Sequence, residues 1–503
     1  MTAPVRSTSR KLFTGSGRSR FRNRSALTSF ERIEPNFAQY MRSLDFCPPG
    51  CYHYAGINYP LQQAETPFLQ VGAQRSGKST YAKLLALSAL QSIKFGFTRS
   101  AFFFDFKGEY LALLAQLLPR ESIKYIQPFD LKQGVAWDIA AEITSVAEAE
   151  VMARLLAPTN PEGHEPFFDD SAGNAIAGLL ISLHVTRGVD WTLWDLAKML
   201  NGGPSAIRAG LALAPSHNSG RIEFYFGGQK LNRDVLSTLG NRTADLSAAA
   251  EQWEKAGERV TLAGWKNGEF ALLLGYSHEY PEATKALSRA LLSKISRLIL
   301  AEPDCYFPKS WVFLDELPFF GRLDSLPGLL SLGPARGLAA SISFQDLGLM
   351  RSIYGPDLTQ AINGLTPQKL FCRLSDVDTA EWASRHFGDV ESIRLTRSMS
   401  HADGEKPSNT FSVGEQLHRA RAVPPEDFLT IRPLSPPVVN EIRSYVVSPV
   451  LGNYPHSLHI NTIRRLLPRG FEVPLPSRPL QLREPEQPRL PTRTDDEDLP
   501  YQD

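Results

Sequence analysis

Cysteine is scarce in this chain: Cys47, Cys51, Cys305 and Cys372 are the four in 503 residues. Four scattered thiols exclude a disulfide framework. Cys47 and Cys51 in "CPPGC" have no second ligand cluster at zinc spacing beside them, so all four read as reduced thiols of a cytosolic protein. Charge of one sign is missing too. Lys and Arg number 54 against 53 Asp and Glu, a net charge of +1. No global field therefore advertises a nucleic-acid or membrane partner, and any such surface must be local. Long apolar runs are absent as well. The stretch nearest to a span, "AIAGLLISLHV" (175–185), falls short of the ~18–20 residues a membrane helix needs and reads as a buried helix. The first 24 residues carry seven Lys/Arg and no acid but lack the apolar core of a secretory signal. A basic arm of this kind is a disordered tail, with contact to nucleic acid or an anionic lipid surface as its alternative.

What is present suits a soluble globular chain. Hydrophobic residues make up 42% and charged residues 21%, enough apolar material for sizeable cores, and the length predicts two or three domains. Buried-strand patterns recur as "PFLQV" (67–71), "AFFFDF" (101–106), "FALLLGY" (270–276), "WVFLD" (311–315) and "AASISF" (339–344), with "KLFCRL" (369–374) as a further candidate. Continuous apolar runs separated by helical segments predict an α/β fold with a mainly parallel sheet covered on both faces. From about 143 to 256 the pattern changes to Ala, Leu, Glu and Asp at helical spacing, as in "SVAEAEVMARLLA" and "SAGNAIAGLLISLH". That segment predicts an all-α insertion in an α/β domain.

One loop is chemically specific. "VGAQRSGKST" places Gly72, Ala73, Gln74, Arg75, Ser76, Gly77, Lys78, Ser79 and Thr80 between a strand and a helix. This is the context in which a glycine-bounded loop turns its N–H groups inward as an anion nest. The helix N-terminus adds its partial positive charge. Lys78 is placed to reach the β- and γ-phosphates of ATP, and Ser79 to bind Mg²⁺. Arg75 stands where many such loops have another glycine, which the loop tolerates if φ there is negative. In "WVFLDELP" a buried run ends in Asp315 and Glu316. Asp315 suits the Mg²⁺ shell, and Glu316 suits polarising an attacking water. An Asp-Glu pair closing a strand can also be a helix N-cap, but a preceding buried strand and the phosphate loop favour the catalytic reading. Gln345 closes the next strand, where it can sense a γ-phosphate or simply end a turn. Arg336 in "GPARGLAAS" can reach a neighbouring subunit's nucleotide or pair with a surface acid.

The series of motifs resembles the type IV secretion coupling proteins, the TraD/TrwB/TraG-type ATPases of conjugation. The resemblance runs over roughly residues 55–440. After the Walker A loop come Asp105, Lys107, Gly108 and Glu109, then "QPFD" (127–130, Gln127 for the family's Asn) and Trp137. Leu314 to Pro318 match the family's Walker B, and Gln345, Tyr354–Gly355, Arg373–Asp376 and Thr379–Glu381 complete the series. The resemblance implies a RecA-like motor domain, an all-α domain at one end of a homo-hexameric ring, ATP and Mg²⁺ bound between subunits, and an arginine in trans, for which Arg336 is the candidate. It also implies partners: relaxase-bound single-stranded DNA or double-stranded DNA, protein effectors, and components of the secretion channel. Coupling proteins usually carry N-terminal membrane helices, and none is found here. The expectation is a cytoplasmic relative, either naturally soluble or peripheral at the inner membrane with a separate membrane subunit.

The resulting division is a basic arm over 1–30, a nucleotide-binding domain over 31–142 and 257–473, the all-α insertion over 143–256, and a Pro-rich tail over 474–503. The tail closes on the acidic "DDEDLPYQD", which suits either a solubilising end or a docking peptide for a basic partner. No strip of Lys/Arg with interleaved aromatics marks a DNA path. "RGLAAS" and "TRSMSHADGEK" (396–406) are the candidate pore or rim loops, the latter also reading as a solvated loop. Two other readings stand beside it: an FtsK/HerA-like DNA pump, which shares the RecA-like core, and, from another class, a substrate-receptor adaptor that binds nucleotide with little turnover. The 237 positions between Lys78 and Asp315 favour the coupling family over the pump, and intact Lys78, Asp315 and Glu316 argue against the adaptor.

Overall fold

A computed structural model of the chain describes residues 50–467 apart from 95, 97, 131, 158–165, 227–230, 403–407 and 435–438. The basic arm and the Pro-rich tail lie outside the described residues. The six buried runs all form strands, numbered here with three that the sequence did not disclose: β1 (Phe68–Val71), β2 (Ser100–Asp105), β3 (Ile123–Ile126), β4 (Ala271–Gly275), β5 (Cys305–Leu314), β6 (Arg336–Phe344), β7 (Gln368–Phe371), β8 (Glu441–Ser448) and β9 (Gly452–His459). They make one sheet in the order β9-β8-β7-β1-β6-β5-β2-β4-β3. The strands from β7 to β3 are parallel, while β8 and β9 add an antiparallel edge.

Burial explains the strand types. Every residue of β1, β2, β4 and β7 is buried, as expected where helices cover both faces. β8 instead alternates between buried and partly exposed positions. Register fixes where the loops emerge. Val71 lies opposite both Phe344 and Phe371, and Leu314 lies opposite Phe104. The segments after β1, β2, β5, β6 and β7 therefore leave the same edge of the sheet, where open α/β sheets place their ligands.

Between 146 and 254 the described residues hold six helices, from Val146–Leu156 to Leu231–Glu254, and no strand. The chain enters and leaves this block side by side. Ala136–Trp137 pairs in parallel with Arg259–Val260, with Ala136 N–H donating to Glu258 O at 3.0 Å and Asp138 N–H to Val260 O at 2.9 Å. Buried Trp265 ties this junction to β2 by donating Nε1–H to Ala101 O at 2.9 Å. Apolar residues of the block and of the sheet form one continuous core.

Two loop expectations are corrected. "RGLAAS" is the start of β6, buried from Gly337 onward, because its small apolar side chains fill the middle of a two-sided sheet. Residues 396–402 of "TRSMSHADGEK" belong to an antiparallel hairpin, Asp389–Ala402 against Ser408–Arg421, paired from Asp389↔Arg421 to Ala402↔Ser408. Ile393, Leu395 and Met399 recur there at even spacing, a strand period that the polar residues between them mask. Residues 403–407 lie outside the described residues.

Candidate nucleotide site

The loop after β1 is shaped by two close approaches. At Gly72 a Cβ would meet Cys372 Cβ at 2.9 Å, and at Gly77, with φ +96°, it would meet Ile442 at 2.5 Å. Both positions therefore require glycine. The end of β7 clamps the loop: Ala73 N–H donates to Arg373 O at 2.8 Å, and Arg373 Nη2 donates to Gln74 O at 3.1 Å. The helix α1 (Lys78–Lys94) starts directly after Gly77. Among the described residues, the N–H groups of Arg75, Gly77, Lys78 and Ser79 have no protein acceptor. Converging donors of this kind, with Lys78 at their centre, fit a phosphate chain.

The expectation of a negative φ at Arg75 is corrected: φ is +59°. A nest that aims successive N–H groups inward alternates right- and left-handed residues, so this position takes the left-handed conformation whatever its side chain. The cost to a non-glycine residue is about 1 kcal/mol, and the Arg75 side chain is left exposed.

Asp315 and Glu316 follow β5 and meet the loop. Asp315 is buried and accepts from Ser79 Oγ at 3.2 Å and from the Ser343 hydroxyl on β6. One carboxylate thus joins the loop serine to the adjacent strand, a donor set that suits a shared divalent cation. Glu316 is 2% exposed and left-handed at φ 55°, with its N–H donating to Ser343 Oγ at 3.1 Å. Three groups converge on its Oε1: Lys78 Nζ at 2.8 Å, Lys107 Nζ at 3.2 Å and Gln345 Nε2 at 3.4 Å. Burial alone would pull the Lys107 ammonium down, but the Glu316 and Asp315 charges outweigh it and raise it.

Lys78, Ser79, Asp315, Glu316 and Gln345, all named from the sequence, therefore sit together. Arg336 does not join them in its own chain. It opens β6 while Gln345 follows its end, about 30 Å along an extended strand, and it pairs with Asp304 at 2.9 Å and donates to Glu302 O at 3.1 Å. Lys107, Ser343 and Arg373 make site contacts that the sequence does not assign. The first and last stand in quoted motifs, whereas Ser343 carries no signal beyond its place in an apolar strand. Lys107 is placed to hold Glu316 in position. Lys107→Ala should lower kcat for ATP about tenfold with KM little changed, and Lys107→Arg should restore most of it. A loss confined to KM would instead make Lys107 a substrate contact.

Asp105 ends β2 and caps the short helix Glu109–Leu114, accepting the N–H groups of Tyr110 at 3.1 Å and Leu111 at 2.7 Å. Burial raises its carboxyl to about 6 against the opposing pull of those two bonds. The folded chain thus holds this proton more tightly than the unfolded chain. The contribution is complete below the ordinary carboxylate value and is lost as pH rises through about 6. Asp105→Asn should remove that falling component from urea midpoints compared at pH 4 and pH 7; an unchanged pH difference would refute it.

A parallel sheet with a phosphate loop at its ligand edge and an Asp-Glu pair two strands away defines a RecA-like P-loop nucleotide-binding fold. Residues 51–441 match the family described as type IV secretion-system coupling protein DNA-binding domain, and the chain belongs to that family. It is 26% identical to conjugal transfer protein TraG of Rhizobium radiobacter over 180 residues, 35% of this chain and 27% of that protein. It is 22% identical to coupling protein TraD of Escherichia coli K12 over 344 residues, 66% of this chain and 44% of that protein. The chain thus matches less than half the length of either relative. Among solved structures, the unbound bacterial conjugative coupling protein TrwBdeltaN70 superposes with a TM-score of 0.65 at 17% identity, covering 85% of this chain and 92% of that one. TrwB in complex with ADP and Mg²⁺ gives 0.63 at 19% identity over 82% and 89%.

Proposed function

We propose that this chain is an ATP-hydrolysing coupling protein that recruits DNA, protein substrates or both and drives them into a type IV secretion or conjugation channel. The observation that carries the reading is the convergence of Lys78, Lys107 and Gln345 on buried Glu316, beside an Asp315 hydrogen-bonded to Ser79. A protein that merely bound nucleotide would not need a buried, triply held carboxylate next to its phosphate loop. Gly72 to Thr80 cradle the phosphates, with Lys78 on the β- and γ-oxygens. Ser79 and Asp315 would hold Mg²⁺, which supplies charge neutralisation at the transferring phosphoryl group. Glu316 takes the proton of the attacking water, and Gln345 orients that water. Complexes of the neighbouring TrwB with ADP and Mg²⁺ and with a non-hydrolysable ATP analogue support this assignment.

Copies form a homo-hexamer in which Arg336, remote from its own site, faces the neighbour's nucleotide. The helical block over 143–256 receives a relaxase or effector, and loops lining the ring hold DNA by its phosphates. Among the described residues no helix is long and apolar enough to cross a membrane; a membrane subunit at the inner membrane is a further proposed partner. The test is ATP hydrolysis with and without single- and double-stranded DNA. Stimulation by either is expected. An unstimulated rate with no DNA retained at low salt would sink the translocating motor.

A further inference from the structure

Away from the phosphate loop lies a cleft of about 620 Å³ between the helices Leu347–Gly364 and Val377–Arg385. One wall is the stripe Thr359, Gln360 and Asn363, the other is Trp382, Arg385 and His386, and the floor is Lys369 of β7. The first helix breaks at Gly355, with φ 75° and ψ 167°, just before Pro356, and its second half forms the first wall.

The charge in this cleft is uncompensated. Lys369 is 4% exposed and donates only to the carbonyls of Asn363 at 2.9 Å and Thr366 at 2.5 Å, so one of its three N–H bonds is left over. No acidic residue lines the cleft. Among the described residues Arg385 has no ion pair, and Arg351 at the rim lies in the field of Asp376. Burying a cation without a counter-charge is expensive, and burial lowers Lys369 to about 8 accordingly. Two further polar atoms are stranded: Asn363 Oδ1, on a side chain 93% buried, and His386 Nε2. A lysine that only capped the helix C-terminus would account for the two carbonyl bonds. It would not account for the stranded amide and imidazole, the lone arginine or the volume.

We propose that this cleft is a second ligand site, for a small molecule bearing a phosphate-type oxyanion and of about mononucleotide size. Lys369 and Arg385 take the oxyanion, Asn363 and His386 hydrogen-bond the body, and Trp382 supplies an aromatic wall. The volume exceeds what a bare ion fills and lies in the range of small-ligand pockets. The site is independent of the phosphate loop and of the hydrolysis proposed for it.

Calorimetric titration of the full chain, with ADP–Mg²⁺ present in excess, tests it using AMP, inorganic phosphate and a short oligothymidylate as probes. AMP should bind one site per chain. Lys369→Met and the exposed-rim variant Arg385→Ala should each weaken AMP about tenfold or more, leaving ADP affinity measured separately unchanged. AMP should also slow amine labelling of Lys369 at pH 8. Phosphate binding with the same dependence on Lys369 would show that the oxyanion dominates, supporting the site. No binding of AMP or phosphate, binding indifferent to both substitutions, or binding of the oligothymidylate alone would overturn it.

Discussion

Glu316→Gln should lower DNA-stimulated ATP hydrolysis about 10²–10⁴-fold while the protein still binds nucleotide. The amide keeps the size of the buried side chain and can still accept from Lys107 and meet Gln345, so what changes at the site is the charge opposite Lys78. What it loses is the ability to take a proton from water. Gln345 Nε2 lies 3.4 Å from Glu316 Oε1 and cannot substitute, because an amide is no base at neutral pH. The measurement is steady-state phosphate release with and without DNA, beside equilibrium binding of ATP. If the variant keeps more than about a tenth of the wild-type rate, general-base work lies elsewhere. If neither protein responds to DNA and both are equally slow, the adaptor reading gains.

The parallel strands other than β3, the helical insertion and the meeting of the phosphate loop with the Asp315–Glu316 pair were legible because each rests on a local signal. β1, β2 and β4 are runs buried on both faces, and such runs stand out in a chain with few other apolar stretches. The phosphate loop and the Asp315–Glu316 pair sit at the ends of those runs, so finding the strands located the chemistry. β8 and β9 were missed because an edge strand shares its surface with water: "GNYPHSLH" has one buried residue in eight. Residues 396–402 of the hairpin read as loop because polar residues interrupt the strand period of Ile393, Leu395 and Met399. Arg75 shows a different limit. The sequence says which residue occupies the loop, but its left-handed φ comes from the geometry of the nest. Lys107 marks the third limit, since it reaches Glu316 across 209 positions and only the alignment of strand ends brings the two together.

Removing Lys78 should cost more than phosphate binding. Lys78 and Glu316 are 4% and 2% exposed and lie 2.8 Å apart, so Lys78→Met leaves a carboxylate in the core with Lys107 and Gln345 as its remaining partners. Breaking a buried pair from one side costs about 3–5 kcal/mol; the low end, about 3 kcal/mol, applies because Lys107 keeps one charge nearby. The pair Lys78→Met with Glu316→Gln removes both charges, so its loss should fall short of the sum of the singles by about 1–3 kcal/mol. Urea unfolding of the nucleotide-free proteins measures this, and additivity within about 0.5 kcal/mol would show that Lys107 alone holds Glu316. The cycle has a consequence for binding. Lys78 cannot serve Glu316 and a γ-phosphate at full strength together, so nucleotide binding must loosen a contact that stabilises the free protein. Glu316→Gln weakens that contact beforehand and should bind ATP several-fold more tightly than wild type, even as hydrolysis collapses. Looser binding by the variant would mean instead that Glu316 helps to hold the nucleotide. On the proposed mechanism, the contact that holds Glu316 in the free protein would also be the one that the incoming phosphate undoes, freeing the carboxylate for water only when there is substrate to attack.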